Sequence, residues 1–326
     1  MKSIIRPVYY RDIPLFEEIW KDFILSETSC EDRFLHPLRF SSVDFLTGKF
    51  LKSILGESSF WDNFLVYEID GTLTGFMEVS HLPGKSEELF IKNFVISSSF
   101  RNRGLGKDFL HDIIKKFSAQ GIREFHLEVR KDNRAVNFYR RSGFLNRGSK
   151  YYMIFTGDNN KIISEEHEGF RYWIPSQDTD RLNEFMRKSS VQSECLIPAF
   201  PEYNYIEHYM DNLILKYKKE KLDVYILEID NTIKAFSVIY YYFNYNKALL
   251  DIVFNMGLPL MLLEQFFKLV LNRIKSGINV IFSFNDTQKQ FISLLEEWGG
   301  EIYRENVLMT YSLLVNSHGR FVNKEE

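Results

Sequence analysis

Cysteine is scarce in this chain of 326 residues: only Cys30 and Cys195 occur, far apart and without the spacing of a metal-binding motif. We therefore expect no framework of disulfides, and the reducing cytoplasm is the default location. Long apolar runs are also missing. No stretch approaches the ~18 apolar residues that cross a bilayer, and charges, Pro7 and Pro14 interrupt the amino terminus, unlike a signal peptide. The sequence thus predicts neither secretion nor membrane insertion.

An excess of positive charge is missing as well. The formal net charge is −3, which predicts no general attraction to nucleic acid or to acidic membranes. The seven histidines have no close paired spacing, and no cysteine stands near enough to suggest zinc, so we expect no metal. Aromatic residues, in contrast, are plentiful. The 30 Phe and 18 Tyr are enough to fill the cores of two domains, which is what the chain length predicts.

An internal repeat organises the chain. Residues 68–76, EIDGTLTGF, resemble residues 228–236, EIDNTIKAF, at an offset of 160 residues. Farther on, at an offset of 156, Gly121-Ile122, Gly143 and Met153 match Gly277-Ile278, Gly299 and Met309. Identities in the same order with one consistent gap favour duplication over a chance likeness of two α/β stretches. Because 159–168 are polar with an acidic run, we predict a domain at 1–158, a linker at 159–168 and a second domain at 169–326.

The periodicity of the first copy predicts a mixed α/β unit. Residues 4–9 read as a strand, and Asp12 opens a helix with Pro14 in its first turn. Alternating residues at 64–69 and 73–80 flank Asp70-Gly71, a strong hairpin signal. Further elements are predicted as a strand at 88–96, a helix at 104–120, a strand at 124–129, a short helix at 133–142 and a closing hairpin. In the second copy, 248–263 read as a buried strand leading into a helix.

The segment 96–107, ISSSFRNRGLGK, stands between a predicted strand and a predicted helix. Gly104 and Gly106 allow the backbone to approach a ligand closely and to take up dihedral angles denied to other residues. The following helix presents unpaired N–H groups and the positive end of its dipole, which suit phosphate oxygens. Arg101, Arg103 and Lys107 add positive charge. Together these features indicate a phosphate-binding turn rather than a plain connection.

Three segments in order resemble the GNAT superfamily of N-acetyltransferases. The turn 101–106, RNRGLG, fits the family's coenzyme loop, and the preceding 93–96, NFVI, resembles its fourth strand. Downstream, 135–144, AVNFYRRSGF, is similar to the family's Ala-x-x-aromatic-Tyr-x-x-x-Gly-Phe stretch. The likeness covers residues 1–156 directly and the second half through the repeat. It implies an α/β fold of two tandem GNAT-like domains, each a mostly antiparallel mixed sheet flanked by helices.

The resemblance also implies roles for individual residues. The main chain of Phe94, Val95 and Ile96 would pair with the pantetheine arm of acetyl-CoA. The cradle of the pyrophosphate would be formed by Arg101, Asn102, Arg103, Gly104, Leu105, Gly106 and Lys107. Tyr139 stands where many members place a general acid that protonates the departing thiolate, and with a reference pKa of ~10 a tyrosine stays protonated near neutral pH. A core tyrosine on a short amphipathic helix is the alternative.

Two positions leave alternatives open. The family has an Asn seven residues before this Tyr, where Asp132 stands, while Asn133 is one residue too close; we favour Asn133 as the coenzyme contact, because a carboxylate suits a polyanion poorly.

The general base is expected to be a carboxylate. Glu128 resembles the position used in ribosomal-protein acetyltransferases and is the predicted base, while Glu78 on the preceding strand is another candidate. Either glutamate can equally be a solvated strand residue or the partner of an arginine.

The second copy lacks the features of the coenzyme turn. The matching residues 254–261, FNMGLPLM, are shorter and have no arginine, and Pro259 removes an N–H. In the alignment of the two copies, Leu295 occupies the position that corresponds to Tyr139. We therefore predict one N-acetyltransferase site, in the first domain, which uses acetyl-CoA and no metal to acetylate a primary amine of a small molecule or peptide by direct attack. We also expect the two domains to pack together. The rival prediction is a non-catalytic acyl-CoA-binding or regulatory module. If the protein is an enzyme, we expect residues 26–59 to contact the acceptor.

Overall fold

The computed structural model describes residues 2–27, 60–82, 85–156, 167–192, 220–255, 257–285, 289–315 and 321–322. The predicted acceptor region 26–59, including Asp32, Arg33 and His36, lies almost wholly outside these residues. Most of the predicted linker lies outside them too. None of the described helices is long and apolar enough to cross a membrane.

Helices and strands alternate along the described residues. The helices are α1 (Ile13–Glu27), α2 (Leu105–Ser118), α3 (Ala135–Arg141), α4 (Pro175–Gln192), α5 (Leu260–Arg273) and α6 (Lys289–Glu297). The strands of the first half are β1 (Ser3–Pro7), β2 (Phe64–Ile69), β3 (Thr72–Leu82), β4 (Lys85–Ile96), β5 (Glu124–Arg130) and β6 (Leu145–Phe155). Those of the second half are β7 (Phe170–Tyr172), β8 (Glu220–Ile229), β9 (Thr232–Tyr242), β10 (Lys247–Phe254), β11 (Asn279–Asn285), β12 (Glu301–Ser312), β13 (Leu314–Val315) and β14 (Phe321–Val322).

The chain divides into two compact units that do not follow the halves of the sequence. The first unit contains Met1–Glu128, Asn137–Asn146 and Met309–Glu326, and the second contains Val129–Val136 and Arg147–Leu308. The end of β12 therefore belongs to the first unit, while nearly all of β6 belongs to the second. The boundaries 1–158, 159–168 and 169–326 remain a prediction about how the two copies follow each other along the chain.

The first unit is a mixed, mostly antiparallel sheet with helices on both faces, as the predicted fold class requires. Its strands lie in the order β1–β2–β3–β4–β5, followed by the end of β12. Only β4 and β5 run parallel among the first five strands. On one face, Phe16 and Trp20 of α1 pack against Phe76 of β3. On the other face, Tyr67 of β2 stacks on Phe109 of α2.

The predicted hairpin turn between β2 and β3 is confirmed. Asp70 and Gly71 both have positive φ, 47° and 84°, as a tight two-residue hairpin turn needs. The repeat places Asp230 and Asn231 at the equivalent turn between β8 and β9, with φ of 50° and 57°. Both turns thus adopt the same left-handed backbone, although only the first has glycine.

The second unit contains the sheet order β12–β6–β11–β10–β9–β8–β7. The strand at 248–254 and the helix after it appear as β10 and α5, as predicted. The closing hairpin predicted for the first copy is wrong, because residues 145–155 form one strand. That strand pairs antiparallel with β11, from Phe155 opposite Val280 to Lys150 opposite Asn285. An apolar strand next to a turn looked like half of a local hairpin, but its partner lies more than 100 residues away.

A buried ion network occurs twice and extends the repeat to the first strand of each copy. Arg6 donates to both carboxylate oxygens of Asp12, at 2.6 and 2.9 Å, and to Glu68 at 2.7 Å. Arg171 donates in the same pattern to Asp178, at 2.6 and 2.8 Å, and to Glu228 at 2.7 Å. The offset between matching residues is not constant in this part of the chain, so comparison of the sequences alone missed the network.

Candidate active site

Strands β4 and β5 separate partway along their length. Their parallel pairing begins with Glu88 opposite Glu124 and ends with Ile91 opposite Leu127. β4 nevertheless continues to Ile96 and stays paired with β3 on its other side. Within the described residues, no strand pairs with the β5-facing edge of β4 beyond Ile91. This stretch, which includes Phe94, Val95 and Ile96, therefore offers main-chain groups to a ligand.

The turn after β4 has the geometry of an anion seat. Gly104 immediately precedes α2 and has φ of 81°, and Asn102 also lies in the left-handed region with φ of 60°. A Cβ on Gly104 would have no heavy atom within 4 Å, so the turn is open on that side. The first turn of α2, including Leu105 and Gly106, leaves N–H groups without an acceptor inside the helix. A phosphate is the ligand that such a helix end favours.

The three basic residues of the turn have different surroundings. Arg101 is half-buried: its Nε donates to the carbonyl of Ile96 at 3.0 Å, and its Nη2 lies 3.5 Å from Asp22 of α1. Arg103 and Lys107 are exposed, and the Arg103 guanidinium lies 5.5 Å from the centre of the Phe100 ring. Arg101 thus fastens the turn to the end of β4 and to α1. Arg103 and Lys107 are better placed to meet a phosphate.

Tyr139 lies in α3 beside the open edge of β4. Its ring centre is 6.4 Å from that of Phe94, 5.1 Å from Phe138 and 5.7 Å from Phe144, and 8% of the residue is exposed. Burial raises the pKa of Tyr139 well above its ordinary value. Its hydroxyl therefore stays protonated at any physiological pH and is available as a proton donor.

Asp132 and Asn133 make local contacts within the second unit. Arg130 donates from Nε to Asp132 at 2.9 Å and from Nη2 at 2.5 Å, and this guanidinium holds the pKa of Asp132 below its ordinary value. The side-chain oxygen of Asn133 accepts from the Ala135 N–H at 2.8 Å, where it caps the start of α3. Asp132 is thus held as an ion pair, while Asn133 fixes the first turn of the helix that carries Tyr139.

The two candidate bases differ in environment. Glu128 is half-buried on β5, close to where β4 and β5 separate. Glu78 is only 7% exposed and lies at a bulge, since Glu78 pairs with Asn93 and Val79 with Ile91. Burial raises the pKa of Glu78 above the ordinary glutamate value, although Lys92 and Asn93 oppose the shift. A carboxylate with this proton affinity accepts a proton more readily than an exposed one.

Asn93 and Lys92 form the surroundings of Glu78, which sequence reasoning missed. The Asn93 side-chain amide donates to Glu78 Oε2 at 2.5 Å, and Lys92 Nζ lies 3.7 Å from Oε1. Lys92 is the extra residue of the bulge, so Lys92 and Asn93 both reach the same carboxylate although they are neighbours in sequence. The polar pair Lys92-Asn93 within the otherwise apolar stretch 89–96 is the signal that could have pointed to this place.

A groove continues from the turn along α2. It lies between one face of α2, including Lys107 and His111, the end of α3 at Arg141, and Tyr311 of β12. Lys107 and Arg141 are both exposed and give this groove a positive rim. The groove therefore suits a ligand that is part apolar and part anionic.

The second unit repeats the separated strands but not the turn. β10 and β11 are parallel from Lys247 to Leu250, and β10 then continues to Phe254, where β9 is its only strand partner among the described residues. The residue before α5 is Pro259, which has no N–H to offer a phosphate. Leu295 is fully buried where the first copy has Tyr139. The described residues of this turn also include no arginine or lysine.

Comparison with known proteins agrees with this geometry. Residues 18–144 match the model of the acetyltransferase (GNAT) family. No curated protein matches the sequence significantly. Residues 18–144 are therefore similar to a GNAT acetyltransferase domain, and acetyl transfer is the general reaction of that family.

Solved structures show a similar fold over nearly the whole chain. A GCN5-related N-acetyltransferase from Anabaena variabilis superposes with a TM-score of 0.61 at 13% identity, over 95% of this chain and 73% of that one. A tandem GNAT protein from the clavulanic acid biosynthesis pathway superposes with a TM-score of 0.59 at 11% identity, over 95% and 98%. A GCN5-related N-acetyltransferase from Sphaerobacter thermophilus gives 0.54 at 13% identity, over 95% of each. The chain thus has the tandem GNAT fold.

Proposed function

We propose that the first unit binds acetyl-CoA and transfers the acetyl group to a primary amine of a small molecule or peptide. One observation carries the proposal: the unpaired edge of β4 leads directly into an open, glycine-bearing turn at the start of α2, beside the protonated hydroxyl of Tyr139. An edge that offers main-chain groups and a helix end that favours phosphate match the two ends of a pantetheine-pyrophosphate chain. The scarcity of cysteine favours the cytoplasm as the location.

In the proposed binding mode, three parts of the unit contact different parts of the coenzyme. The main chain of 94–96 would pair with the pantetheine arm, and N–H groups of 102–106 would hold the pyrophosphate. Arg103 and Lys107 would supply positive charge, while Arg101 keeps the turn in place. The groove beside α2 would hold the adenosine end, with Lys107 and Arg141 near its phosphate. Asn133 stays our choice over Asp132 for a further contact, since Asp132 is already paired with Arg130.

The bound coenzyme would supply an acetyl group activated as a thioester. The protein would then transfer two protons. Glu78, or Glu128 in the alternative assignment, would remove one from the acceptor amine so that the nitrogen lone pair attacks directly, and Tyr139 would give one to the departing sulfur. We favour Glu78 because its raised pKa suits a base and because its carboxylate contacts Lys92 and Asn93, just beyond the point of β4 where β5 separates.

The decisive experiment combines two measurements on the full chain. Isothermal titration reports binding of acetyl-CoA, and release of free thiol across a panel of polyamines, amino sugars, amino acids and peptides reports turnover. Thiol release with at least one amine supports the enzyme. Binding without turnover on any amine supports the rival, a regulatory acyl-CoA-binding module, and the absence of binding refutes both.

Paired variants then separate the candidate bases. Glu78→Gln keeps the shape of the side chain and should lower turnover by about 10²–10⁴-fold, with acetyl-CoA affinity nearly unchanged. Glu128→Gln is the matched variant on the neighbouring strand and should have a small effect. The reverse pattern would transfer the role of base to Glu128, and full activity of both variants would show that neither residue is the base.

A further inference from the structure

Three side chains that are scattered in the sequence converge in the first unit. Glu88 comes from β4, and Glu124 and His126 come from β5. Parallel pairing places Glu88 directly opposite Glu124, and alternation along β5 puts Glu124 and His126 on the same face. One ligand atom from each of the three residues lies within 4.8 Å of the other two.

The separations between these atoms are those of ligands around one small cation. His126 Nε2 lies 2.9 Å from Glu88 Oε2 and 3.6 Å from Glu124 Oε2. Zinc–nitrogen and zinc–oxygen bonds of about 2.1 Å place neighbouring ligand atoms about 3.0 Å apart in an octahedron and about 3.4 Å apart in a tetrahedron. These two separations fall close to both values. The ligand atoms of Glu88 and Glu124 lie within 4.8 Å of each other, so these two carboxylates would have to shift only modestly to close a site.

Further groups orient two of the three side chains. His126 Nδ1 lies 2.9 Å from the hydroxyl oxygen of Thr310, and the hydroxyl of Ser312 donates to Glu124 Oε1 at 3.0 Å. Contacts of this kind fix the orientation of metal-binding side chains from behind. His126 is almost fully buried, while the Glu124 side chain is 41% exposed, which leaves an entry path from solvent.

The charges are also suitable for a divalent ion. The carboxylates of Glu88 and Glu124 together match its double charge. Lys85 Nζ lies 3.1 Å from Glu88 Oε2 and is the one competing cation among the described side chains that pair with Glu88. An incoming ion would therefore have to displace this ammonium group.

We propose that Glu88, Glu124 and His126 form a binding site for one divalent cation with a preference for nitrogen and oxygen donors, for which Zn²⁺ is the probe. Three protein ligands leave at least one coordination position for water or for a further ligand. The expectation from sequence that no metal is involved rested on the absence of paired histidine and cysteine motifs, which this cluster does not need.

The test uses the full-length chain without a histidine tag, stripped with chelator and titrated with Zn²⁺ by calorimetry. Co²⁺ absorption provides an independent view of the coordination geometry. We expect one ion per chain, with affinity lowered at least about 10-fold by Glu124→Gln, a partly exposed change that leaves packing intact. Lys85→Ala should tighten binding several-fold, because it removes the competing ammonium.

The matched control is Glu87→Gln, since Glu87 is the neighbour of Glu88 on the opposite face of β4 and pairs with Arg123. This change should leave the affinity for Zn²⁺ as in the wild type. The proposal is overturned if the wild type shows no saturable binding, or if Glu124→Gln and His126→Gln both bind as tightly as the wild type. It is also overturned if Lys85→Ala weakens binding.

Discussion

Tyr311 makes the first unit depend on the last long strand of the chain. Its side chain is 8% exposed, and its ring centre lies 6.2 Å from that of Phe125 and 5.4 Å from that of Phe144. A Cβ on Gly143 would approach the Tyr311 ring to 3.0 Å, so the ring fits without spare room. Residues that surround the proposed coenzyme site are thus held in place by a strand from the far end of the sequence.

Truncation of this side chain should have a large effect. Tyr311→Ala leaves a cavity beside two aromatic rings, and deletion of a buried aromatic ring costs about 3–5 kcal/mol of the free energy of unfolding. Urea denaturation measures the total change. Hydrogen exchange resolves it by unit: amides of α2 should exchange at least about 100-fold faster, because 1.4 kcal/mol is a factor of ten in an opening equilibrium.

The control is Tyr245→Ala in the second unit, where the side chain is 54% exposed and should cost less than about 1 kcal/mol. A fragment of residues 1–158 provides a second arm, since it lacks Tyr311 together with the main-chain bond from the Leu313 N–H to the Arg123 carbonyl. The reasoning fails if Tyr311→Ala changes stability by less than 1 kcal/mol. It also fails if the fragment is as stable and active as the full chain.

Four further predictions concern the coenzyme site and the repeated ion network. Tyr139→Phe keeps the ring but deletes the proton donor, so turnover should fall by about 10²–10⁴-fold with little change in coenzyme affinity. Gly104→Ala should weaken acetyl-CoA binding at least about 10-fold, because its φ of 81° is strained for alanine in the turn that would hold the pyrophosphate. Titration of the wild type should saturate at one acetyl-CoA per chain, since the second unit lacks a suitable turn. Asp178→Asn should cost about 2–3 kcal/mol at pH 7, because Arg171 loses its buried partner.

Each of these predictions has a control or a contrary outcome. If Tyr139→Phe turns over at the wild-type rate under conditions where the chemical step limits turnover, Tyr139 contributes only to packing. Gly121→Ala is the control, because it carries the same backbone strain, with φ of 97° and no heavy atom near the added Cβ. If both glycine variants lose the same coenzyme affinity, the coenzyme does not bind at the turn that contains Gly104. Saturation at two coenzymes would contradict the single site. Asp180→Asn, at an exposed position, should be nearly neutral.

The pH dependence of the ion network follows from its pKa shifts. Although burial opposes it, Arg171 holds the pKa of Asp178 below the ordinary value of 3.8. The stabilisation is therefore fully present above that value and is lost as pH falls through the lower pKa of the folded state. The stability difference between the wild type and Asp178→Asn should therefore stay constant from pH 7 down to about pH 4 and shrink at lower pH. If the difference persists unchanged at lower pH, the carboxylate does not carry the effect.

Local signals predicted much of the first copy. Asp70-Gly71 specified a tight turn because few residues adopt positive φ at two successive positions. Glycines and basic residues after an apolar strand predicted the turn at Gly104, because a helix start and a phosphate seat both depend on residues within one turn of chain. The resemblance to the GNAT family then attached roles to Tyr139 and to 94–96, and these roles stay predictions.

What the sequence determined by itself was most elements of the first copy, their order and the duplication, since each depends on periodicity, turn chemistry or local likeness over short distances. Only the tertiary structure decided which strands pair. β6 lies beside β11, the end of β12 belongs to the first unit, and a bulge at Lys92 turns Asn93 toward Glu78. The cluster of Glu88, Glu124 and His126 arises in the same way. Main-chain hydrogen bonds between strands are alike for all residues, so they do not select one strand partner over another. The partner and the register of a strand follow from how whole faces of the sheet pack, and a short stretch of sequence does not contain that information.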